Sequence, residues 1–131
     1  MNEGQIFLEY QGRYFLVYSA SGCWSEWYCL GILGYTGGEN GNVTDMGNWV
    51  KYPVPFFQRT PAGWIDGVGH CSFFRSPDGS EVWMAYHGML DGVISENNRY
   101  LFCQSIGFDE LNFPILGVPN RGVNQAVPSG Q

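Results

Sequence analysis

The stretch Gly67-Val68-Gly69-His70-Cys71-Ser72-Phe73-Phe74 places two glycines around one small residue, and then a lone histidine ahead of an apolar run. Glycine tolerates positive φ angles and close backbone approach, so Gly67 and Gly69 predict a tight loop that leads into a strand. His70 would lie where the loop becomes the strand, which is a common position for a functional residue. From residue chemistry alone, a buried histidine bonded to a backbone carbonyl is the simpler interpretation.

The composition around this stretch favours an all-β domain. The chain has 131 residues, which is enough for one domain and too few for two ordinary ones. Aromatic residues make up 17% and there are 19 glycines, whereas charged residues make up only 14%. Residues that favour helices are scarce, and residues that favour strands are common.

The charge balance excludes some classes of partner. The net charge is −6, and the sequence contains no basic patch with interleaved aromatics, so we expect no nucleic-acid partner. Aromatic rings stack well on sugar rings, so a neutral carbohydrate is the better-matched ligand. No apolar run approaches the roughly 18 residues of a membrane-spanning helix. The N-terminus shows no signal-peptide pattern, so we expect no membrane partner and no signal peptide in this chain.

Alternating apolar and polar residues predict eight strands in two groups of four. Turn residues separate the strands, and Pro53 and Pro55 limit the segment 49–57 to an edge strand or an extended segment. The predicted strands are 5–10, 13–20, 27–34 and 49–57 in the first group, and 71–75, 81–87, 99–108 and 113–116 in the second. After Pro119 the chain is rich in Pro, Gly, Asn and Gln, and we expect it to be disordered or extended.

Two successive four-stranded antiparallel units are typical of propeller blades. We place one blade at about 2–57 and the next at about 67–117, so that 1–118 form a partial β-propeller and 119–131 a tail. Two blades cannot close a ring, and their exposed edges would need further blades or a partner.

Four cysteines, at 23, 29, 71 and 103, leave the disulfide pattern open. Cys23 and Cys29 flank a short aromatic turn and would be able to bridge it. Equally, all four would fit as small buried residues, an interpretation favoured for Cys71 and Cys103. No spacing among them matches a zinc site.

Five segments of the chain resemble motifs of glycoside hydrolase family 43, in the family's order. They are Asn2-Glu3-Gly4 with the tyrosine-rich strand that ends at Ser19-Ala20-Ser21, Tyr28-Cys29-Leu30-Gly31, Gly67-Val68-Gly69-His70-Cys71-Ser72-Phe73, Tyr86-His87, and the segment from Asn98-Arg99 to Gln104. The family is built on five-bladed β-propellers that act on arabinose- or xylose-containing polysaccharides. The resemblance implies that this chain corresponds to about two of the five blades, the C-terminal part.

The resemblance also implies a catalytic role for Glu3. Glycosidases use two carboxyl groups, and in inverting enzymes such as this family these stand roughly 6.5–9.5 Å apart. The family's general acid is the Glu of a Glu-Gly-Pro motif, which corresponds to Glu3. The base and a further aspartate belong to earlier blades, and the aspartates of this chain are all predicted in turns or loops. With only two residues before it, Glu3 is expected to be frayed and solvated, and the chain to be inactive alone.

Other site residues follow from the same resemblance. His70 corresponds to a histidine that in some members holds a metal ion, often Ca²⁺, through water. Arg99 corresponds to an arginine that contacts sugar, although a surface strand arginine is an equal interpretation. Trp24 and Trp64 would stack on sugar or pack between blades. No other cofactor is implied.

Several positions depart from the family's pattern and bear on the substrate. Gln5 and Val68 replace prolines, Gly88-Met89 follow the Tyr-His pair, and Phe102 stands where a second arginine is frequent. The Tyr-Cys-Leu-Gly strand and the loop lengths are more similar to arabinofuranosidases than to xylosidases, so arabinan or arabinoxylan is the expected substrate, outside the cell. The alternative is a non-catalytic carbohydrate-binding or degenerate propeller module.

Overall fold

The computed structural model describes residues 1–60, 64–122 and 125–131, and these residues form an all-β structure. The strands are β1 Asn2–Tyr10, β2 Arg13–Ala20, β3 Cys29–Tyr35, β4 Trp49–Lys51, β5 Ile65–Arg75, β6 Val82–Leu90, β7 Arg99–Phe108 and β8 Pro114–Ile115. In the described ranges, the helical segments are two 3₁₀ turns of three residues, Met46–Asn48 and Glu96–Asn98.

The strands form two four-stranded sheets in which chain order equals spatial order, β1-β2-β3-β4 and β5-β6-β7-β8. Every neighbouring pair is antiparallel. Such up-and-down units are blades of a propeller. The predicted fold, a partial propeller of two four-stranded blades, is therefore confirmed.

The two sheets pack face to face and share one apolar core. Because side chains alternate along a strand, only one face of each sheet contributes to this core. The first sheet supplies Phe15, Val17 and Ile32, and the second supplies Met84 and Tyr86. The opposite face of the first sheet carries exposed aromatic residues, which leaves it without a covering layer.

Prolines shorten the fourth strand of the first sheet. Of the two alternatives for 49–57, an edge strand holds only as far as Lys51, because β4 ends there, ahead of Pro53 and Pro55. Proline has no N–H to donate to a sheet. The chain returns to the sheet at Phe57, whose carbonyl accepts a hydrogen bond of 2.8 Å from the N–H of Leu30.

The glycine-histidine stretch is a bulged part of β5 and not the predicted loop. The strand begins at Ile65, and its register with β6 shifts between Asp66 and Gly69 and again between Gly69 and Ser72. Gly67 and His70 have φ angles of 55° and 53°. A histidine in this left-handed region is uncommon and is held there by its surroundings.

The tail that follows Pro119 packs on the second sheet where the structure describes it. The N–H of Asn120 donates a hydrogen bond of 2.9 Å to Tyr86 Oη. Near the end of the chain, Ser129 Oγ donates one of 2.7 Å to Asp78 Oδ1. The described residues form no strand or helix there, and these contacts anchor them.

The four cysteines are all free thiols, so the Cys23–Cys29 bridge that the sequence left open is not formed. Burial raises the pKa of the Cys71 thiol to about 12. Among the described residues, no helix has the length and apolar character needed to cross a membrane.

Candidate functional site

Glu3 lies inside β1, where it pairs with Ser19 of β2. Its Oε1 accepts a hydrogen bond of 2.7 Å from Tyr28 Oη, and the residue is half-buried. The expectation of a frayed, solvated carboxylate is therefore wrong. Strand pairing fixes the backbone of Glu3, and the tyrosine hydroxyl fixes its side chain.

Tyr28 is fully buried just ahead of β3, beneath Glu3. Its ring stacks on His87 of β6, with ring centres 5.6 Å apart and planes at 13°. A Cβ atom at Gly69 would lie 2.2 Å from Tyr28 Cε1, so glycine leaves the space that the ring occupies. Burial raises the pKa of Tyr28 to about 12, opposed by the Ser19 hydroxyl and reinforced by Glu3. Tyr28 therefore keeps its proton, and its hydroxyl donates a hydrogen bond to Glu3.

His70 is exposed and lies beside Glu3, so the interpretation as a buried core histidine is wrong. A Cβ atom at Gly4 would come within 3.2 Å of the imidazole ring. The backbone N–H of His70 donates a hydrogen bond of 2.7 Å to Ser19 Oγ, which links the bulge of β5 to β2. The imidazole is thus presented at the open end of both sheets.

His87 lies between Tyr28 and His70. Its ring centre is 6.3 Å from that of His70. Burial, followed by the positive charges of Arg99 and His70, lowers the pKa of His87 to about 4. The imidazole is consequently neutral at neutral pH, and its buried Nε2 has no hydrogen-bond partner among the described residues.

Arg99 begins β7 and adds a cation to this end of the sheets. Its Nη2 donates a hydrogen bond of 2.7 Å to the carbonyl of Cys23 and lies 3.9 Å from Glu96 Oε1. Its Nε is buried and has no hydrogen-bond partner within the described part of the chain. The guanidinium therefore keeps donor capacity for a ligand.

The two predicted tryptophans are exposed and do not pack between the two sheets. Trp24 is 58% exposed and follows Cys23, whose carbonyl holds Arg99. Trp64 is 60% exposed and belongs to a separate cluster, in which the Arg121 guanidinium lies 5.5 Å from its ring. The structure thus brings Glu3, His70 and Arg99 to one end, with Trp24 next to them.

Tyr28 and His87 are site residues that sequence reasoning missed, and Trp27 is a further exposed aromatic residue. Trp27 is 62% exposed, with the Arg59 guanidinium 5.1 Å from its ring. The motifs contain Tyr28 and His87 but do not predict that these residues lie near Glu3, because that proximity depends on cross-strand register. In the structure Gly69 pairs with His87 across β5 and β6, and this register brings His70 and His87 close together.

Asp66 is buried in β5, where the sequence predicted a loop. Arg59 Nε lies 2.8 Å from its Oδ1, which makes an ion pair although the angle does not satisfy a hydrogen bond. A second ion pair joins Arg59 to Glu26. The ion pair with Arg59 occupies the Asp66 side chain, so Asp66 is not a free second carboxylate for the site.

The residues around His70 do not fit direct calcium coordination. Ca²⁺ takes six to eight oxygen ligands. Within the described ranges no group of three or more His, Cys, Asp or Glu side chains is arranged to hold a metal ion. Calcium beside His70 would need water and groups from outside this chain, and it stays a prediction.

Comparison with known proteins agrees with this geometry. A family model described as "Glycosyl hydrolases family 43" matches residues 1–114. An extracellular exo-α-(1→5)-L-arabinofuranosidase of Streptomyces chartreusis is 39% identical over 87 residues, which are 66% of this chain and 26% of that protein. Alpha-L-arabinofuranosidase 43 of Humicola insolens is 32% identical over 124 residues, 91% of this chain and 25% of that protein.

A solved structure gives the same result for the fold. The crystal structure of alpha-L-arabinofuranosidase from Lactobacillus brevis superposes with a TM-score of 0.83 at 31% identity, covering 92% of this chain and 38% of that one. This chain spans about a quarter of the length of the curated relatives above. Strand order, the site at one end of the sheets and the match over residues 1–114 lead to one conclusion: the chain belongs to glycosyl hydrolases family 43.

Proposed function

We propose that this chain carries the general acid of an inverting family 43 glycosidase that releases arabinofuranosyl groups from arabinan- or arabinoxylan-type polysaccharide. The observation that supports this most directly is the 2.7 Å hydrogen bond from Tyr28 Oη to Glu3 Oε1. It holds a carboxyl group at the end of the sheets where His70 and Arg99 also lie. In such a reaction Glu3 would protonate the leaving glycosidic oxygen.

The second carboxyl group of the reaction would come from outside this chain. An inverting glycosidase needs a base that activates water on the opposite face of the sugar. Asp66 is committed to Arg59, and the exposed aspartates described here lie in turns away from Glu3. The active unit therefore includes further propeller blades that supply the base.

The outer face of the first sheet supports this requirement for more blades. Phe7 and Tyr14 are 62% and 48% exposed on this face. With Tyr35 and Trp49 they line an open hollow of about 590 Å³. A soluble protein rarely leaves so many aromatic rings uncovered, so a neighbouring blade is the natural layer over them.

Arg99, His70, Trp24 and Trp64 have proposed roles in binding sugar. Arg99 would donate to sugar hydroxyls, and His70 would bind sugar directly or through a water-held cation. The exposed tryptophan rings would stack on pyranose or furanose rings further from the reaction centre. Relatives named arabinofuranosidases favour an arabinose substrate over xylose, and those named extracellular favour action outside the cell.

A carbohydrate-binding module without hydrolysis is the second candidate. The exposed rings of Trp24, Trp27 and Trp64 favour it, because such rings bind sugar without any catalytic carboxylate. In that case sugar binding would survive replacement of Glu3 and would be reduced by Trp24→Ala.

A reconstituted enzyme tests the proposed function. In it, the part of the Lactobacillus brevis arabinofuranosidase that this chain does not cover is fused ahead of residue 1. We expect Glu3→Gln to lower kcat on arabinobiose by on the order of 10²–10⁴-fold, the usual contribution of a general acid. The matched control is Glu9→Gln, at the other end of β1, which we expect to leave kcat unchanged. Equal rates for the two variants would contradict the proposal and favour the binding module.

A further inference from the structure

The Tyr28 hydroxyl is buried against two side chains, those of Glu3 and Ser19. The side chain is fully buried, and its one hydrogen bond to a carboxylate goes to Glu3 Oε1. The buried Ser19, which pairs with Glu3 across the strands, faces the same hydroxyl and accepts the His70 N–H. The contact therefore sits at the junction of β1, β2, β3 and the bulge of β5.

The ring of Tyr28 is fixed before any ligand binds. It is packed between the Gly69 backbone, which approaches closely because there is no Cβ, and the His87 ring at 5.6 Å. A buried ring held on two sides has few alternative rotamers. The hydroxyl consequently points at Glu3 without an entropic cost during the reaction.

We infer that Tyr28 is a positioning residue for the general acid, holding Glu3 Oε1 so that Oε2 carries the proton to the leaving oxygen; the inference rests on the proposed function. A general acid enters its step protonated, and in that form Glu3 would accept the tyrosine hydrogen bond on its carbonyl oxygen. As Glu3 gives up its proton to the glycosidic oxygen, the carboxyl becomes a carboxylate. Hydrogen bonds to ionised acceptors are about twice as strong as neutral ones. The Tyr28 bond therefore strengthens toward the transition state, which is the condition for accelerating the step.

Two tyrosines of this chain allow a matched kinetic test in the reconstituted enzyme. Tyr28→Phe removes the hydroxyl and keeps the ring on His87. Tyr86→Phe removes a similarly buried hydroxyl, which donates to the Gln104 side-chain oxygen at 2.8 Å and accepts the backbone N–H of Asn120 at 2.9 Å. Each variant is assayed on arabinobiose, whose leaving group needs protonation, and on 2,4-dinitrophenyl arabinofuranoside, whose leaving group does not.

We expect Tyr28→Phe to lower kcat on arabinobiose by on the order of 10- to 100-fold, the usual scale for a misplaced catalytic group. KM should change little, and hydrolysis of the dinitrophenyl substrate should be nearly normal. Tyr86→Phe should affect the two substrates equally, as a general loss of stability would. Equal effects of Tyr28→Phe on the two substrates would overturn the inference.

The outcome separates this inference from the proposed function. Loss of activity in Glu3→Gln with a normal Tyr28→Phe enzyme contradicts only the role of Tyr28. Normal activity in Glu3→Gln contradicts both. A measurement on this chain itself checks the contact independently of hydrolysis: the Tyr28 hydroxyl proton, assigned by its absence in Tyr28→Phe, should be a slowly exchanging downfield NMR resonance. It should disappear in Glu3→Ala and persist in Glu9→Ala, and persistence in both would overturn the inference.

Discussion

The missing side chain of Gly69 is what allows Tyr28 to lie beneath Glu3. A Cβ atom at this position would lie 2.2 Å from the tyrosine ring, closer than any real contact. The sequence pattern predicts a tight loop at Gly69. In the structure Gly69 lies inside β5, and its lack of a side chain leaves room for the Tyr28 ring. The effect of Gly69 on the site is therefore steric and passes through Tyr28.

We expect Gly69→Ala to destabilise the fold by about 1–3 kcal/mol, the usual cost of overpacking a tight site. The Tyr28 ring would have to move and would lose its hold on Glu3. Gly107→Ala is the control, because a Cβ at Gly107 meets nothing within 4 Å. Urea denaturation measures both variants, and equal stabilities would contradict the steric role of Gly69.

At the scale of elements, alternation of side chains was a sufficient signal for most strands. It predicted β2 and β7 at the bounds that the structure has. It failed at β5, because two glycines and a bulge interrupt the alternation and imitate a loop. Over 49–57 it left an edge strand and an extended segment open, because the prolines that end pairing lie inside an otherwise strand-like segment.

The candidate site followed from sequence only where single motifs carried it. Glu3 and His70 were identified from short motifs that resemble the family. Tyr28 and His87 were missed, since their meeting depends on how two sheets pack and on a register shift within β5. Local periodicity predicts neither the packing of the two sheets nor the register shift within β5.

The ion pairs of Arg59 join the loop that carries Glu26 to Asp66 at the start of β5, and we expect their loss to be costly. Asp66 has a side chain only 2% exposed, so Arg59→Met would leave a buried charge without its partner. Breaking such a pair costs about 3 kcal/mol or somewhat more. Replacing Asp66 by Asn in the same protein should recover part of this loss.

The matched control for that prediction is Arg121→Met. Its partner Asp91 is 69% exposed, and pairs of this kind contribute about 0–1 kcal/mol. Thermal or urea unfolding of the two variants gives the comparison. A loss in Arg59→Met no larger than in Arg121→Met would exclude a structural role for the buried pair.

At the scale of the whole molecule, the chain is two blades with a shared core and an aromatic outer face. The core is complete between the sheets, with Phe15, Val17, Ile32 and Met84 fully buried. The site lies at the end where the blades meet and carries one suitable carboxyl group. Further propeller blades would serve both the fold and the proposed chemistry. They would cover the aromatic face, and they would bring a base to Glu3.

Hydrolysis of arabinobiose by the 131-residue chain alone, measured beside the reconstituted enzyme at equal concentration, tests this account most directly. The account predicts no turnover above background for the chain alone, because loss of one acid–base group costs on the order of 10²–10⁴-fold. The reconstituted enzyme should hydrolyse the substrate. Turnover by the chain alone that Glu3→Gln abolishes would contradict the account, since a base for Glu3 would then lie within this chain or a second copy of it.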